Sequence, residues 1–364
     1  MQPYRYITAR ALTGDVLAWD LPMSDVEFGP ALSAAGEFTG AVAPRLATLV
    51  RTQVDAGDTW LLVERAGKLM WGGLIWRATP QGSALQVEAA GPGSYLTRRH
   101  DLHGNFNGRG PYVYADPCKV IRDVWAYAQE QPDGDLGVIV DGTTSKAQVG
   151  TPADPYKSDW WEAPALGDVI DDMVAVAGGP EWTEAIAWSD DKPRHTIRVG
   201  WPRLGTRRTD ISFQTGVNII ESVPVEYDAD QAAQTVIALG AGDGRNRRRA
   251  IDTVRDGRLR LEYIVDVDGE KANDRLAARA RTERIARQVT GEVTEIVVRD
   301  HPSAPLGSWA VGDDVRVVVH DQWTDYDAWS RIVSWQIRPG SGDESERAVI
   351  QVQRADRFTY GAAT

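Results

Sequence analysis

The chain has 364 residues, 42% of them hydrophobic and 25% charged, enough to bury several cores and unlike a disordered or low-complexity protein. Forty Lys and Arg against 52 Asp and Glu leave a net charge of −12, which opposes tight gripping of nucleic-acid phosphates. One cysteine, Cys118, excludes internal disulfides, and the lack of a leader-like start or a long apolar run predicts a chain made in the cytoplasm, neither secreted nor membrane-spanning.

Period-two alternation with Gly and Pro punctuation predicts short strands over most of the length. Trp60 to Glu64, Leu69 to Trp76 and Leu85 to Ala89 form an expected antiparallel meander. Asp116-Pro117 is a helix start, an N-cap followed by Pro at the first position. Val120, Ile121, Val124, Trp125 and Ala128 then share one helix face, and Pro132 ends it. A second helix is predicted near Leu166 to Ala177, closed by Gly178-Gly179-Pro180. A third, roughly Glu270 to Val289, carries a thin stripe of Leu276, Ala280, Ile285 and Val289 among arginines.

An internal repeat organises these elements. Gly36 to Ala43 resembles Gly291 to Val298 at an offset of 255, and the same offset places Gly57-Asp58 on Gly312-Asp313, each just before a strand. Trp71 and Trp76 are then expected to correspond to Trp329 and Trp335. The fold class expected is mainly β with an α+β insertion: two related small β-barrels plus inserted domains. The boundaries are 1–100 for the first barrel, 101–213 for the insertion, and 214–364 for a second barrel interrupted by a helix at about 270–289. Three copies of such a chain supply six similar barrels, so a trimer imitates six-fold symmetry.

The run Leu69 to Trp76, followed by Ala90-Gly91-Pro92-Gly93-Ser94-Tyr95-Leu96-Thr97-Arg98-Arg99, is similar to minor tail proteins of actinobacteriophages. So are Val199 to Gly205, Ala238 to Gly244 and Val311 to Val317. That family resembles baseplate-hub, or tail-tip hub, proteins. The resemblance implies a structural virion protein rather than an enzyme: a homotrimeric hub at the distal end of a tail tube. It would adapt a six-fold tube to a three-fold tip and form part of the DNA exit channel. The implied partners are a distal tail protein ring, the tape measure protein and other minor tail or receptor-binding proteins. DNA would pass through the lumen without specific binding. The implied location is the virion tail tip, after synthesis in the host cytoplasm.

Other motifs have blander readings. Gly240-Ala241-Gly242-Asp243-Gly244 follows a strand pattern, but Arg245 to Arg249 comes next and no helix opens, so no dinucleotide site is expected. His100 and His103 flank Asp101 without an evident third metal ligand. Cys118 at a helix start is read as a buried thiol. Asp171-Asp172, Glu181, Glu184 and Asp190-Asp191 lie near Trp182 and Trp188, which suggests an alternative, a tail-tip cell-wall glycan hydrolase or glycan-binding module. Asp168, Asp171 and Asp172 equally suit the polar side of a helix, and Asp190-Asp191 a turn. Trp160-Trp161-Glu162 is read as lining between subunits. No catalytic, cofactor or metal residue is assigned.

Overall fold

A computed structural model describes residues 4–43, 53–226, 229–267, 269–288, 291–340 and 345–357. In chain order the strands of the first part are β1 (Tyr4–Arg10), β2 (Val16–Ala18), β3 (Met23–Ala31), β4 (Ala34–Val42), β5 (Thr59–Arg65), β6 (Lys68–Gln81) and β7 (Ala84–Ala90). Next come α1 (Pro117–Glu130), β8 (Ile139–Val140), α2 (Leu166–Ala175), β9 (Glu181–Ser189), β10 (Lys192–Gly200) and β11 (Arg207–Gln214). A small module holds β12 (Thr235–Leu239), β13 (Arg249–Thr253), β14 (Glu262–Asp266) and α3 (Asn273–Ala286). The chain then adds β15 (Glu295–Arg299), β16 (Asp314–His320), β17 (Asp325–Arg338) and β18 (Arg347–Arg354).

The two ends share a strand order. In the first, β4 pairs β7, β7 pairs β6 and β6 pairs β5, all antiparallel. In the second, β15 pairs β18, β18 pairs β17 and β17 pairs β16, again antiparallel. β16 occupies the positions 255 residues after β5, and β17 those 257 after β6. Both long hairpins slip register at the same place, between Ile75 and Arg77 and between Ile332 and Ser334. A bulge of this kind bends its strand, so each unit curls.

The chain at either end also reaches across both edges of its unit. Between β2 and β3, the Leu21 amide donates to the Tyr6 carbonyl of β1, and the Ala43 amide beyond β4 donates to Pro22. After β11, Ile219 bridges Val298 of β15. The fifth strands differ: β1 runs antiparallel to β5, whereas β11 runs parallel to β16.

The tryptophan correspondence needs correction. Trp71 pairs Val63, and the residue 255 after Val63, Val318, pairs Asp327 rather than Trp329. A slip between Val63 and Glu64 shifts the register there, which sequence spacing alone conceals. Trp71 is buried and stacks on Phe38 at 5.6 Å, while Trp329 is half-buried under the Arg207 guanidinium at 4.8 Å. Trp76 is likewise unlike Trp335: its indole donates to Ser94 Oγ at 2.8 Å, whereas Trp335 is buried opposite Ile350.

The units join where β17 pairs β3, with Ser334 opposite Ala31 and Ile337 opposite Phe28. Gly29 lies at that crossing. A Cβ there would sit 1.7 Å from the Trp335 carbonyl oxygen, so only glycine lets the two backbones approach. Glu27 receives both forks of Arg338, at 2.9 and 3.0 Å, and ties the same strands from the side. Both units consequently share one hydrophobic core, which includes Phe28, Phe38, Phe213, Trp309 and Ile337.

A second core lies in the insertion. Asp116 caps α1 by accepting from the Cys118 amide at 2.8 Å, and Val120, Ile121, Val124, Trp125 and Ala128 are buried against α2. α2 ends at Ala175, slightly before the predicted Ala177, because Val176 is extended. The third helix is shorter than its stripe predicts. Leu276 and Ala280 are buried against β12 and β13, but Ile285 is exposed, and Val289 lies outside the described residues.

Candidate functional site

Two of the candidate carboxylates, Glu181 and Glu184, lie on β9, and alternation sends them to opposite faces, since they stand three residues apart. Glu184 is partly buried and turned into a cradle of glycines. Its Oε2 accepts from the Gly36 amide at 2.8 Å and its Oε1 from the Gly93 amide at 2.7 Å. A Cβ on Gly91 would lie 1.7 Å from Oε2. Burial pushes this carboxyl up to about 7, opposed by the two amide donors. The carboxylate therefore fastens the insertion to the first unit. Next to it, Ser33 donates its amide to the Trp182 carbonyl at 2.7 Å, and Thr183 Oγ1 donates to Ala31 at 3.2 Å.

Glu181 serves the other unit. It pairs with the fully buried Arg331 of β17 and accepts from the Leu204 amide at 2.8 Å. Close by, Arg203 forks onto the buried Asp314 at 2.8 Å on both oxygens, and Asp313 accepts from the Thr206 amide at 2.8 Å. The repeated Gly-Asp turn thus anchors the chain as it leaves the insertion. Sequence reasoning missed these anchors, although Glu181 and Glu184 were visible as candidates. The signal available was glycine at Gly29, Gly36, Gly91 and Gly93 beside β-strand patterns.

The remaining carboxylates do not converge on an enclosed pair. Asp171 is exposed on α2, and its carboxyl is raised by burial and then by the neighbouring charges of Asp168 and Asp172. Asp172 accepts from the Tyr156 hydroxyl at 2.9 Å. Asp190 and Asp191 form the β9–β10 turn with φ of 50° and 60°. A cleft of about 390 Å³ between the β3–β4 turn, α1 and α2 is lined by Glu37, Asp171, Trp125 and Trp182. Trp125 and Trp182 are 1% and 6% exposed, so neither offers a free ring face on which a sugar stacks. Trp188 donates its indole N–H to Glu64 at 3.2 Å.

The histidines are engaged locally. His100 Nδ1 contacts the Ala163 carbonyl at 2.7 Å, and His103 Nδ1 the Tyr127 hydroxyl at 2.8 Å. Asp101 between them organises its loop, accepting from the Gly104 and Phe106 amides at 2.9 Å each. Among the described residues no group of three or more His, Cys, Asp or Glu side chains is placed to hold a metal. His195 is buried, stacks on Trp60 at 4.0 Å and is driven down to about 3 by burial, so it is neutral.

The Gly240 motif leads into a tight 3-10 turn, Gly244–Asn246, and then β13. A Cβ on Gly240 would meet the Glu270 carbonyl oxygen at 2.5 Å, which explains that glycine by chain packing. Cys118 is buried, and burial together with Asp116 pushes its thiol up to about 12. A thiol reagent at pH 8 should leave the folded protein untouched and label Cys118 fully in denaturant. Rapid labelling of the native chain would contradict this placement.

No protein-family model matches the chain, and no curated protein does. Among solved structures it is similar to the 43 kDa tail protein of prophage MuSo2 from Shewanella oneidensis, with TM-score 0.62 and 14% identity over 98% of this chain and 100% of that one. It is also similar to a tail protein from Neisseria meningitidis MC58, with TM-score 0.55 and 14% identity over 96% and 97%. A third likeness is to prophage tail protein gp18 from Listeria monocytogenes EGD-e, with TM-score 0.55 and 9% identity over 95% and 94%. The fold is therefore mainly β and tail-hub-like.

Proposed function

We propose that the chain is a structural protein of a phage tail and forms a homotrimeric hub at the distal end of the tail tube. The observation that carries this reading is the repeated strand order of the two ends, fused through β3 and β17. On this reading each end is a barrel, divided as 1–100 and 214–364 around the 101–213 insertion. Three chains then present six similar units to a six-fold ring and a three-fold face beyond it. The partners would be the distal tail protein ring, the tape measure protein and other minor tail or receptor-binding proteins. The site would be the virion tail tip, and the actinobacteriophage kinship of the motifs belongs to the same proposal.

Net charge −12 suits a wall past which DNA slides without sticking. The hydrolase alternative loses support because both oxygens of Glu184 are taken by backbone amides. Native mass spectrometry of the full chain, with imaging of tail particles, tests the hub. The expected result is a three-chain species and three copies around the tail axis. A monomer in solution and off-axis density on the particle would refute it. Purified chain should release no sugar from cell-wall material.

A further inference from the structure

The cleft of about 390 Å³ between the first unit and the insertion is walled by Ile121 and Trp125 of α1, Ile170 and Asp171 of α2, Trp182 of β9 and Glu37 of β4. Its volume is that of a pocket for a small molecule. Its walls are fixed by the chain itself. Glu184 holds the amides of Gly36, next to Glu37, and of Gly93, which also lines the cleft. A Cβ on Gly93 would meet the Trp182 ring at 2.7 Å, so that wall is already close-packed.

The charges in it are one-sided. Among the described residues Glu37 and Asp171 are the only ionisable side chains that line the cleft; no Lys, Arg or His does. Both are exposed to solvent at its mouth, and neither side chain forms an ion pair or hydrogen bond with another described residue. Burial raises the Asp171 carboxyl, and the charges of Asp168 and Asp172 raise it further. A cation placed here would relieve that crowding.

A second observation concerns the wall. Trp182 is 6% exposed, and its indole N–H is buried with no acceptor among the described residues. A buried donor left unpaired is costly, and an oxygen on an occupant could supply what the protein does not.

We propose that this cleft binds a small organic cation: a protonated amine on a short apolar stem that also carries an oxygen. The ammonium donates to Glu37 and Asp171, the stem lies against Ile121 and Ile170, and the oxygen accepts from the Trp182 indole. The site is independent of the hub reading, since no part of it depends on how many chains assemble.

Calorimetric titration of the full chain with aminopentanol tests this, with melting to confirm that each variant is folded. The expected result is one site with a dissociation constant of roughly 1 mM or tighter. E37Q and D171N should each weaken it about five-fold, and E37Q/D171N more than either. Added salt should weaken it too. Pentanediol, which lacks the charge, should not bind, and pentylamine, which lacks the oxygen, should bind less tightly. No binding to the wild type, equal binding to E37Q/D171N, or pentanediol binding as well as aminopentanol overturns the proposal. Pentylamine binding as tightly as aminopentanol overturns the part given to Trp182. Binding of a doubly blocked lysine amide but not of aminopentanol also overturns it, and would assign the cleft to a side chain of a partner protein.

Discussion

Gly29→Ala should cost about 3 kcal/mol or more and lower the melting temperature markedly, because the new methyl would meet the Trp335 carbonyl oxygen at 1.7 Å. Backbone, unlike a flexible side-chain tip, cannot turn aside. The damage should be local at first: β3 parts from β17, and the Glu27–Arg338 fork is pulled apart with it. Hydrogen exchange checks this by following amides in residues 26–31 and 334–337, which should exchange faster than those of β5 and β6. An unchanged melting temperature, with protection retained at the crossing, would show that the strands are not held this closely. Gly67→Ala makes a useful contrast, since nothing lies within 4 Å of a Cβ there. Its own φ of +83° still imposes a backbone cost of about 1 kcal/mol, but the two units stay joined.

Glu184→Ala is the second large effect. It leaves the Gly36 and Gly93 amides without their acceptor and opens space behind them, for a loss of about 3 to 4 kcal/mol. Glu184→Gln should cost about 2 kcal/mol, because one amide then faces an NH2 group. The pH dependence follows from the raised carboxyl. The folded protein holds this proton up to about 7, while the unfolded chain releases it near the ordinary glutamate value of 4.5. Between those limits the folded state binds more protons, so stability contributed by this group falls as pH rises and levels off above about 7. The difference between wild type and Glu184→Gln in melting runs from pH 4.5 to 8 should trace that fall, at about 2 kcal/mol once partial exposure is allowed for. A flat difference would mean the amide donors hold the group ionised throughout.

Local rules made many elements legible. The strand run from Trp60 to Glu64 lies inside β5, Leu69 to Trp76 inside β6 and Leu85 to Ala89 inside β7, because β-rich runs between glycine turns leave little choice. The Asp116-Pro117 start and the buried stripe from Val120 to Ala128 appear as read, since a cap and a 3.6-residue period are both local. The tryptophan correspondence failed because a register slip is decided by hydrogen bonds between strands, not by spacing along one of them. The crossing at Gly29, the cradle around Glu184 and the Arg331–Glu181 pair also lay beyond reach. Each joins residues some ninety to three hundred positions apart, and a lone glycine or glutamate does not announce its distant partner. Among the candidate carboxylates, the types were right for chemistry, but backbone amides and arginines had already claimed Glu184 and Glu181.

The pairing of β3 with β17 bears on how the chain is born. Ala31 leaves the ribosome roughly three hundred residues before Ser334. At about 5–20 residues per second, β3 waits some tens of seconds with one edge open. Its N-terminal segment must stay soluble through that interval, so slowed translation or a missing C-terminus should favour aggregation or chaperone capture of the nascent half.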